Sequence, residues 1–346
     1  MACSLPQTIR TEDELGEVLT RPWPELVQFI RELRSPLLIL GAGGKMGPTL
    51  AVLARRAANE AGHKLEIQAV SRFADTRARD WLEARGVSTL TCDLLDRRAV
   101  NRLPDSENVL YLVGLKFGTA QNPGQTWAVN TLVPAHVMEH YSAARIVALS
   151  TGNVYPFSPV DRRGSVESDP LTPLGEYGNA AVGRERIFEY FSQRHGTRVA
   201  LLRLFYAVDL RYGVLRDLAD RIWMGQPVEL ANGSFNCIWQ GDANEMVIRS
   251  LALASSPATA FNLTRPEVFR VQTVASRLGE LLDRPVNFAG QEGQTCLIGN
   301  PSNLCAKLGD PVADLETMLR WTAEWVKQGG RSLGKPTHFE ARDGNY

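Results

Sequence analysis

Gly41, Gly44 and Gly47 recur at three-residue spacing in Gly41-Ala-Gly-Gly-Lys-Met-Gly47, and a backbone stripped of side chains in this rhythm is suited to holding a phosphate. Gly41 can turn through positive φ, Gly44 lets the main chain approach a pyrophosphate, and Gly47 lets a helix pack close against a strand. The spacing is G-x-x-G-x-x-G, not the G-x-G-x-x-G of simpler dinucleotide folds. An apolar run, Leu37–Leu40, leads in, and helix-forming residues, Pro48 to Asn59, lead out. Strand, glycine turn and helix start in that order predict a cofactor cradle that includes Lys45 and Met46, not an ordinary turn.

The next apolar run ends at Val70-Ser71-Arg72, where an acidic residue would normally receive the ribose hydroxyls of NAD. The Arg72 guanidinium can instead pair with a 2′-phosphate, which favours NADP; a solvated surface arginine is the plain alternative. Asp93, with Leu94 beside it, follows the third run and can accept from an adenine amino group or cap the next helix. His136 and His140 stand four apart, the geometry of two metal ligands, but no glutamate follows His136 and no third ligand is in sight, so no metal is expected. Cys3, Cys92, Cys237, Cys296 and Cys305 are odd in number and scattered, which suits reduced structural thiols.

These residues need a scaffold, and the pattern supplies one. Short apolar runs at Leu37–Leu40, Leu65–Val70, Val87–Cys92, Asn108–Val113, Arg145–Leu149 and Val199–Leu204 alternate with helix-length segments. That alternation predicts an α/β, doubly wound parallel sheet with helices on both faces. Beyond Arg211 it weakens into a smaller α+β region, with a helix near 213–224, short strands around Val228 and Ile238, and helices near 242–254, 273–282 and 312–326. Trp321 and Trp325 make the apolar stripe of that last helix. At the other end, Thr11 and Glu14 resemble a capping box, and Leu26, Phe29, Ile30 and Leu33 recur at helical spacing, predicting a helix on the outside of the main domain. The last stretch, 329–346, is polar without periodicity and reads as a mobile tail.

The chain has 346 residues, 44% hydrophobic and 22% charged, with 38 Lys plus Arg against 38 Asp plus Glu. A zero formal charge offers no electrostatic case for nucleic acid or anionic membrane, and no run reaches the ~18 apolar residues of a membrane span. The N-terminus lacks a basic segment followed by an apolar run, so the chain reads as cytoplasmic, with small molecules or copies of itself as partners.

Five motifs together resemble the NAD-dependent epimerase/dehydratase family, the extended branch of the short-chain dehydrogenases/reductases. They are the glycine loop, Asp93-Leu94, Leu149-Ser-Thr-Gly-Asn-Val-Tyr155, Tyr177-Gly178 with Glu185 eight residues on, and Leu202-Arg-Leu-Phe205. Val113-Gly-Leu-Lys-Phe117 is also similar to a loop of UDP-galactose 4-epimerases whose lysine touches the cofactor. The resemblance spans about 37–326. It implies a Rossmann NAD(P)-binding domain at 35–210 and a substrate-binding cap at 211–328, partly interleaved with it. An N-terminal helical extension at 1–34 and the tail at 329–346 complete the division.

The resemblance further implies Tyr177 as acid/base and Thr151 as the hydroxyl that orients the reacting oxygen. The implied cofactor residues are Gly41, Gly44, Lys45, Met46, Gly47, Ser71, Arg72, Asp93, Leu94, Val113, Gly114, Leu115, Lys116, Asn130, Ser150, Tyr177 and Phe205. Asn153, Tyr206 and Arg184 would face substrate. The family's Tyr-x-x-x-Lys is here Tyr177-Gly-Asn-Ala-Ala181, so the lysine that lowers the tyrosine pKa and holds the nicotinamide ribose is replaced by alanine. An isolated tyrosine, with a pKa of ~10, is ionised to about one part in a thousand at pH 7. Lys116 is the preferred substitute cation and Arg184 the second. Gly152 and Asn153 stand where dehydratases carry an acidic pair, which disfavours water elimination.

Tyr206 replaces an asparagine that would serve a diphosphate, while Arg211, Arg216 and Arg221 are phosphate candidates or solvated helix arginines. The expected activity is therefore NAD(P)-dependent epimerisation or oxidoreduction of a sugar nucleotide or similar hydroxyl or carbonyl compound. The alternative is a catalytically degenerate NAD(P)-binding protein acting as a sensor or assembly subunit. By analogy, Gln125 to Tyr141 with Tyr177 to Arg194 would form a homodimer contact.

Overall fold

The computed structural model describes residues 5–116, 118–119, 121–335 and 337–344; Cys3, Phe117 of the loop motif, and Asn345 and Tyr346 of the tail lie outside the described residues. Seven parallel strands form the main sheet: β1 Leu37–Leu40, β2 Ile67–Ser71, β3 Ser88–Thr91, β4 Asn108–Tyr111, β5 Arg145–Thr151, β6 Arg198–Leu204 and β7 Thr259–Leu263. Their order is β7-β6-β5-β4-β1-β2-β3. A central strand buried on both faces needs no polar alternation, which is why Leu37-Leu-Ile-Leu40 reads as an unbroken apolar run, wholly buried. After β3 the chain returns to lay β4 on the other side of β1, where Leu40 is in register with both Val70 and Tyr111. A crevice therefore opens at the carboxyl ends of β1 and β4, where ligands bind in sheets of this kind.

Twelve helices in the described residues flank the strands. Those up to the sixth strand are α1 Glu12–Leu19, α2 Pro24–Ile30, α3 Gly47–Glu60, α4 Thr76–Glu83, α5 Arg97–Val100, α6 Pro123–His140 and α7 Gly175–His195. The C-terminal region adds α8 Val214–Trp223, α9 Gln240–Arg249, α10 Val271–Leu282, α11 Ser302–Leu308 and α12 Leu315–Lys327. No described helix is long and apolar enough to cross a membrane. Trp321 and Trp325 are buried on α12, in a second core built with α8 and α10.

Three expectations need correction. The sheet has a seventh strand: the chain leaves the cap at Thr259, pairs with β6, and brings α9 and α11 onto the sheet core through Met246, Val247, Ile248 and Leu304. The N-terminal extension is two helices instead of one. Leu26 and Ile30 of α2 join the sheet core, whereas Leu15, Val18 and Leu19 of α1 pack into the cap's core with Trp239 and Trp321.

The tail is not loose. Phe339 is 4% exposed, Asn232 Nδ2 donates to its carbonyl at 2.5 Å, and the Arg342 guanidinium donates to Ala231 O, Asn232 Oδ1, Thr295 O and Thr295 Oγ1. A single aromatic residue and one arginine give this polar stretch an apolar anchor and a four-bond clamp.

Candidate cofactor and active site

The glycine loop closes the end of β1. Gly41 and Ala42 both donate to Val70 O, and Gly44 donates to Gly41 O, so the chain turns back at once. Gly41 has φ +83°, the left-handed region where glycine carries no penalty. A Cβ at Gly47 would lie 2.5 Å from Ala42 Cα, so only glycine lets α3 start against the strand it follows. A Cβ at Gly43 would meet Ser71 Oγ at 2.6 Å, while Gly43 and Gly44 themselves are exposed. The result is an open cradle at a helix N-terminus, where unbonded backbone N–H groups and the helix dipole both attract a phosphate. These residues fit a dinucleotide pyrophosphate.

Thr151 ends β5, and Tyr177 lies in the first turn of α7; both are buried. Thr151 Oγ1 accepts from Asn153 N at 3.2 Å and donates to Asn153 Oδ1 at 3.1 Å, which shapes the turn after the strand. Gly178 lets the helix close on that turn, since a Cβ there would stand 2.7 Å from Asn153 O and 2.6 Å from Pro173 Cβ. Deeper in the helix, Glu185 pairs with Arg203 of β6 at 2.7 Å and accepts from the Ser150 hydroxyl, with both charged side chains buried. Arg203 also donates to the Tyr155 hydroxyl at 2.6 Å. Glu185 thus pins α7 to β5 and β6 and holds Tyr177 at the carboxyl ends of the strands.

Two lysines supply positive charge from opposite sides. Lys45, inside the cradle, donates to Ala207 O at 2.9 Å and lies 3.9 Å above the Tyr212 ring. Burial pulls its ammonium down to about 7, Asp209 opposing and Lys116 and Arg211 adding to the fall. Lys116 follows β4 and donates to Thr337 O at 3.3 Å. Burial lowers it to about 8, Asp217 opposing. Burial, then Asp217 and Tyr177, raise the Tyr212 phenol above its ordinary value, so Tyr177, Tyr212 and the two lysines share one electrostatic environment. In the sequence Lys45 is legible only as part of the loop, and Tyr212, Asp217 and Thr337 are not legible. A charged side chain wedged among glycines was the available signal for Lys45, and none marked the others.

Several candidates are placed elsewhere than expected. Arg184 is turned to the loop after β4: it is buried, and its Nη1 donates to Val113 O and Asn130 Oδ1, both at 3.0 Å. A Cβ at Gly114 would lie 2.5 Å from that nitrogen, so the glycine is what lets the guanidinium support the loop. Asn130 is a buried brace, also donating to Thr126 O. The Ser150 side chain is likewise committed to Glu185. Asp93 is exposed and accepts from Leu95 N, and the cap of α5 is Asp96. Leu94 is buried, its carbonyl taking a bond from His136 Nδ1, while His140 Nε2 bonds Leu103 O.

Arg211 pairs with Asp209 and Glu12, Arg216 with Asp220, and Arg221 with Glu340. Ser71, Arg72, Met46, Val113 and Leu115 remain around the crevice mouth, with Arg72 exposed at the end of β2. The Phe205 ring is buried between Gly152 and Gly299, leaving its backbone as the only part able to flank a ligand. Tyr206 is half-buried against Phe235.

The model of the NAD dependent epimerase/dehydratase family matches residues 37–230, more than half of the sequence. The chain belongs to this family. Its fold is shared with the UDP-glucose 4-epimerase of Thermus thermophilus in complex with NAD, at TM-score 0.68 and 18% identity, covering 85% of this chain and 99% of that one. The UDP-Glc/GlcNAc 4-epimerase of Campylobacter jejuni is similar at TM-score 0.69 and 19% identity, covering 85% and 100%. An epimerase of Methanothermobacter thermautotrophicus reaches TM-score 0.71 at 16% identity, covering 88% and 96%. No curated protein sequence matches. Membership supports a nicotinamide cofactor, and the seven-stranded parallel sheet is of Rossmann architecture.

Proposed function

We propose that this protein is an NAD(P)-dependent oxidoreductase or epimerase acting on a hydroxyl or carbonyl carbon, with Tyr177 as the proton donor and acceptor and Thr151 as the orienting hydroxyl. The observation that carries this reading is Lys45: rooted in the phosphate cradle, it bonds the backbone three residues past β6, joining the cradle and the Thr151–Tyr177 end of the sheet into one site. The nicotinamide, when bound, supplies the redox chemistry. Tyr177 then gives its proton to, or takes it from, the substrate oxygen, and Thr151 and Asn153 hold that oxygen in line. Lys116 provides the positive potential that the alanine at 181 cannot. Exposed Arg72, following the Ser71 that stands against Gly43, supports NADP over NAD. Exposed Trp127 and Leu132 of α6 and Tyr190 of α7 support a homodimer through these helices.

Calorimetry with NAD and NADP in both redox states is the test: binding of at least one is expected, and absence of heat with all four overturns the reading. A second reading, cofactor binding without turnover, is favoured by Ala181, which is buried among Val154, Phe205 and Leu297 where the family carries its lysine. Cofactor would then raise the melting temperature, yet a panel of carbonyl and sugar substrates would leave the 340 nm absorbance unchanged.

A further inference from the structure

The C-terminal segment crosses the mouth of the site and ties its two sides together. Thr337 donates through its backbone N and its hydroxyl to Asp217 on α8, at 2.8 and 2.5 Å, and its carbonyl accepts from Lys116 on the sheet side. Phe339 then enters an aromatic cluster, its ring centroid 6.4 Å from that of Phe235, which in turn meets Tyr206. Arg342 clamps Asn232 and Thr295 and lies over the Phe157 ring at 4.5 Å. Gly344 ends against the backbone just before Tyr177: a Cβ there would fall 2.6 Å from Leu174 C, and one at Gly175 would fall 2.8 Å from Gly344 C.

Backbone pressed on backbone at one end, a buried ring in the middle and paired hydrogen bonds at the other are features of a wall, not of a gate. The opening beside Asn153, Phe157, Leu174 and Gly344 is narrow, with about 20 Å³ of space for a water-sized molecule. Pockets that enclose drug-sized ligands run to roughly 300–1,000 Å³.

We propose that residues 337–344 are a fixed wall of the substrate pocket that takes the room a nucleotide would need, so that the substrate is a hydroxyl or carbonyl compound that carries no nucleotide. This rests on the NAD(P)-dependent reading of the site and narrows its substrate. The test titrates UDP and UDP-glucose into protein already saturated with reduced cofactor, comparing the full chain, a chain ended after Leu333, and full-length Arg342→Met. The full chain should show no binding up to ~10 mM, and the shortened chain and Arg342→Met should each bind at least ~30-fold more tightly. If the shortened chain does not fold, Arg342→Met decides. Equal binding by all forms overturns the proposal, and so does silence from all of them, since the segment would then not be what excludes the nucleotide. Failure of the underlying reading is separate: it appears earlier, as absence of cofactor binding.

Discussion

Replacing Lys45 with methionine separates electrostatics from packing at the centre of the site. The side chain keeps its length, but the ammonium and its bond to Ala207 O are gone. In the native chain burial pulls this group from its ordinary 10.5 to about 7, so between those values the unfolded chain binds more protons than the folded one. Stability therefore rises with pH through that window and is lost as pH falls through 7. At about 1.4 kcal/mol per tenfold change in proton affinity, the full gap would be worth about 5 kcal/mol; Lys45 retains some contact with solvent, and screening trims this to about 2–4 kcal/mol. The unpaired Ala207 carbonyl costs the variant about 1–3 kcal/mol at every pH. Urea midpoints at pH 6.5, 8 and 9.5 should converge or cross, the native chain losing about 2–3 kcal/mol relative to Lys45→Met from pH 9.5 to 6.5. A difference constant to within about 0.5 kcal/mol over that range would refute the argument that this ammonium is held in an unfavourable place.

Other perturbations test other links. Gly47→Ala drives a methyl into the Ala42 backbone and should abolish cofactor binding by calorimetry while lowering stability by about 2 kcal/mol or more; unchanged affinity would mean that α3 can retreat without opening the cradle. Glu185→Gln strips the buried Arg203 of its counter-charge and should cost about 3–5 kcal/mol in chemical denaturation, and a loss below about 1 kcal/mol would show that the pair does not hold α7. Glu245, buried where it accepts from Trp23 N, is raised to about 7, so its contribution is full at acid pH and lost as pH rises through 7. Glu245→Gln keeps the acceptor and should remove about 1–3 kcal/mol of that decline between pH 5 and 8; an unaltered slope assigns the decline to other groups.

What could be read from the amino acids was whatever local physics decides. Leu37–Leu40 and the glycine turn are legible because a doubly buried strand must be apolar and because tight turns and close helix starts select glycine. β7 was illegible because Thr259-Ala-Phe-Asn-Leu263 is short and carries Asn262, a residue that looks like loop until its neighbours are known. In the fold that amide donates to Ser165 O and Asn300 O and accepts from the Tyr155 hydroxyl. Arg184 and Asn130 were misplaced for a related reason: spacing says which helical face a residue occupies, not what the next loop presents to it. The docking of the tail is illegible because hydropathy averages over a window, and one phenylalanine with one arginine is enough to dock it.

The absence of a lysine at 181 is itself explained by packing. The Phe205 ring fills the space between two glycines, with a Cβ at Gly152 falling 2.5 Å from Phe205 Cδ1 and one at Gly299 falling 2.8 Å from Cδ2. Ala181 completes the same apolar cluster with Val154 and Leu297. A lysine stem there would have to displace the ring, and its ammonium would be buried in apolar surroundings. Two ammoniums instead reach inward from loops at the rim. Lys45 and Lys116 do this from the cradle and from the end of β4, each with a backbone carbonyl to hold it. Burial lowers both ammoniums, to about 7 for Lys45 and about 8 for Lys116.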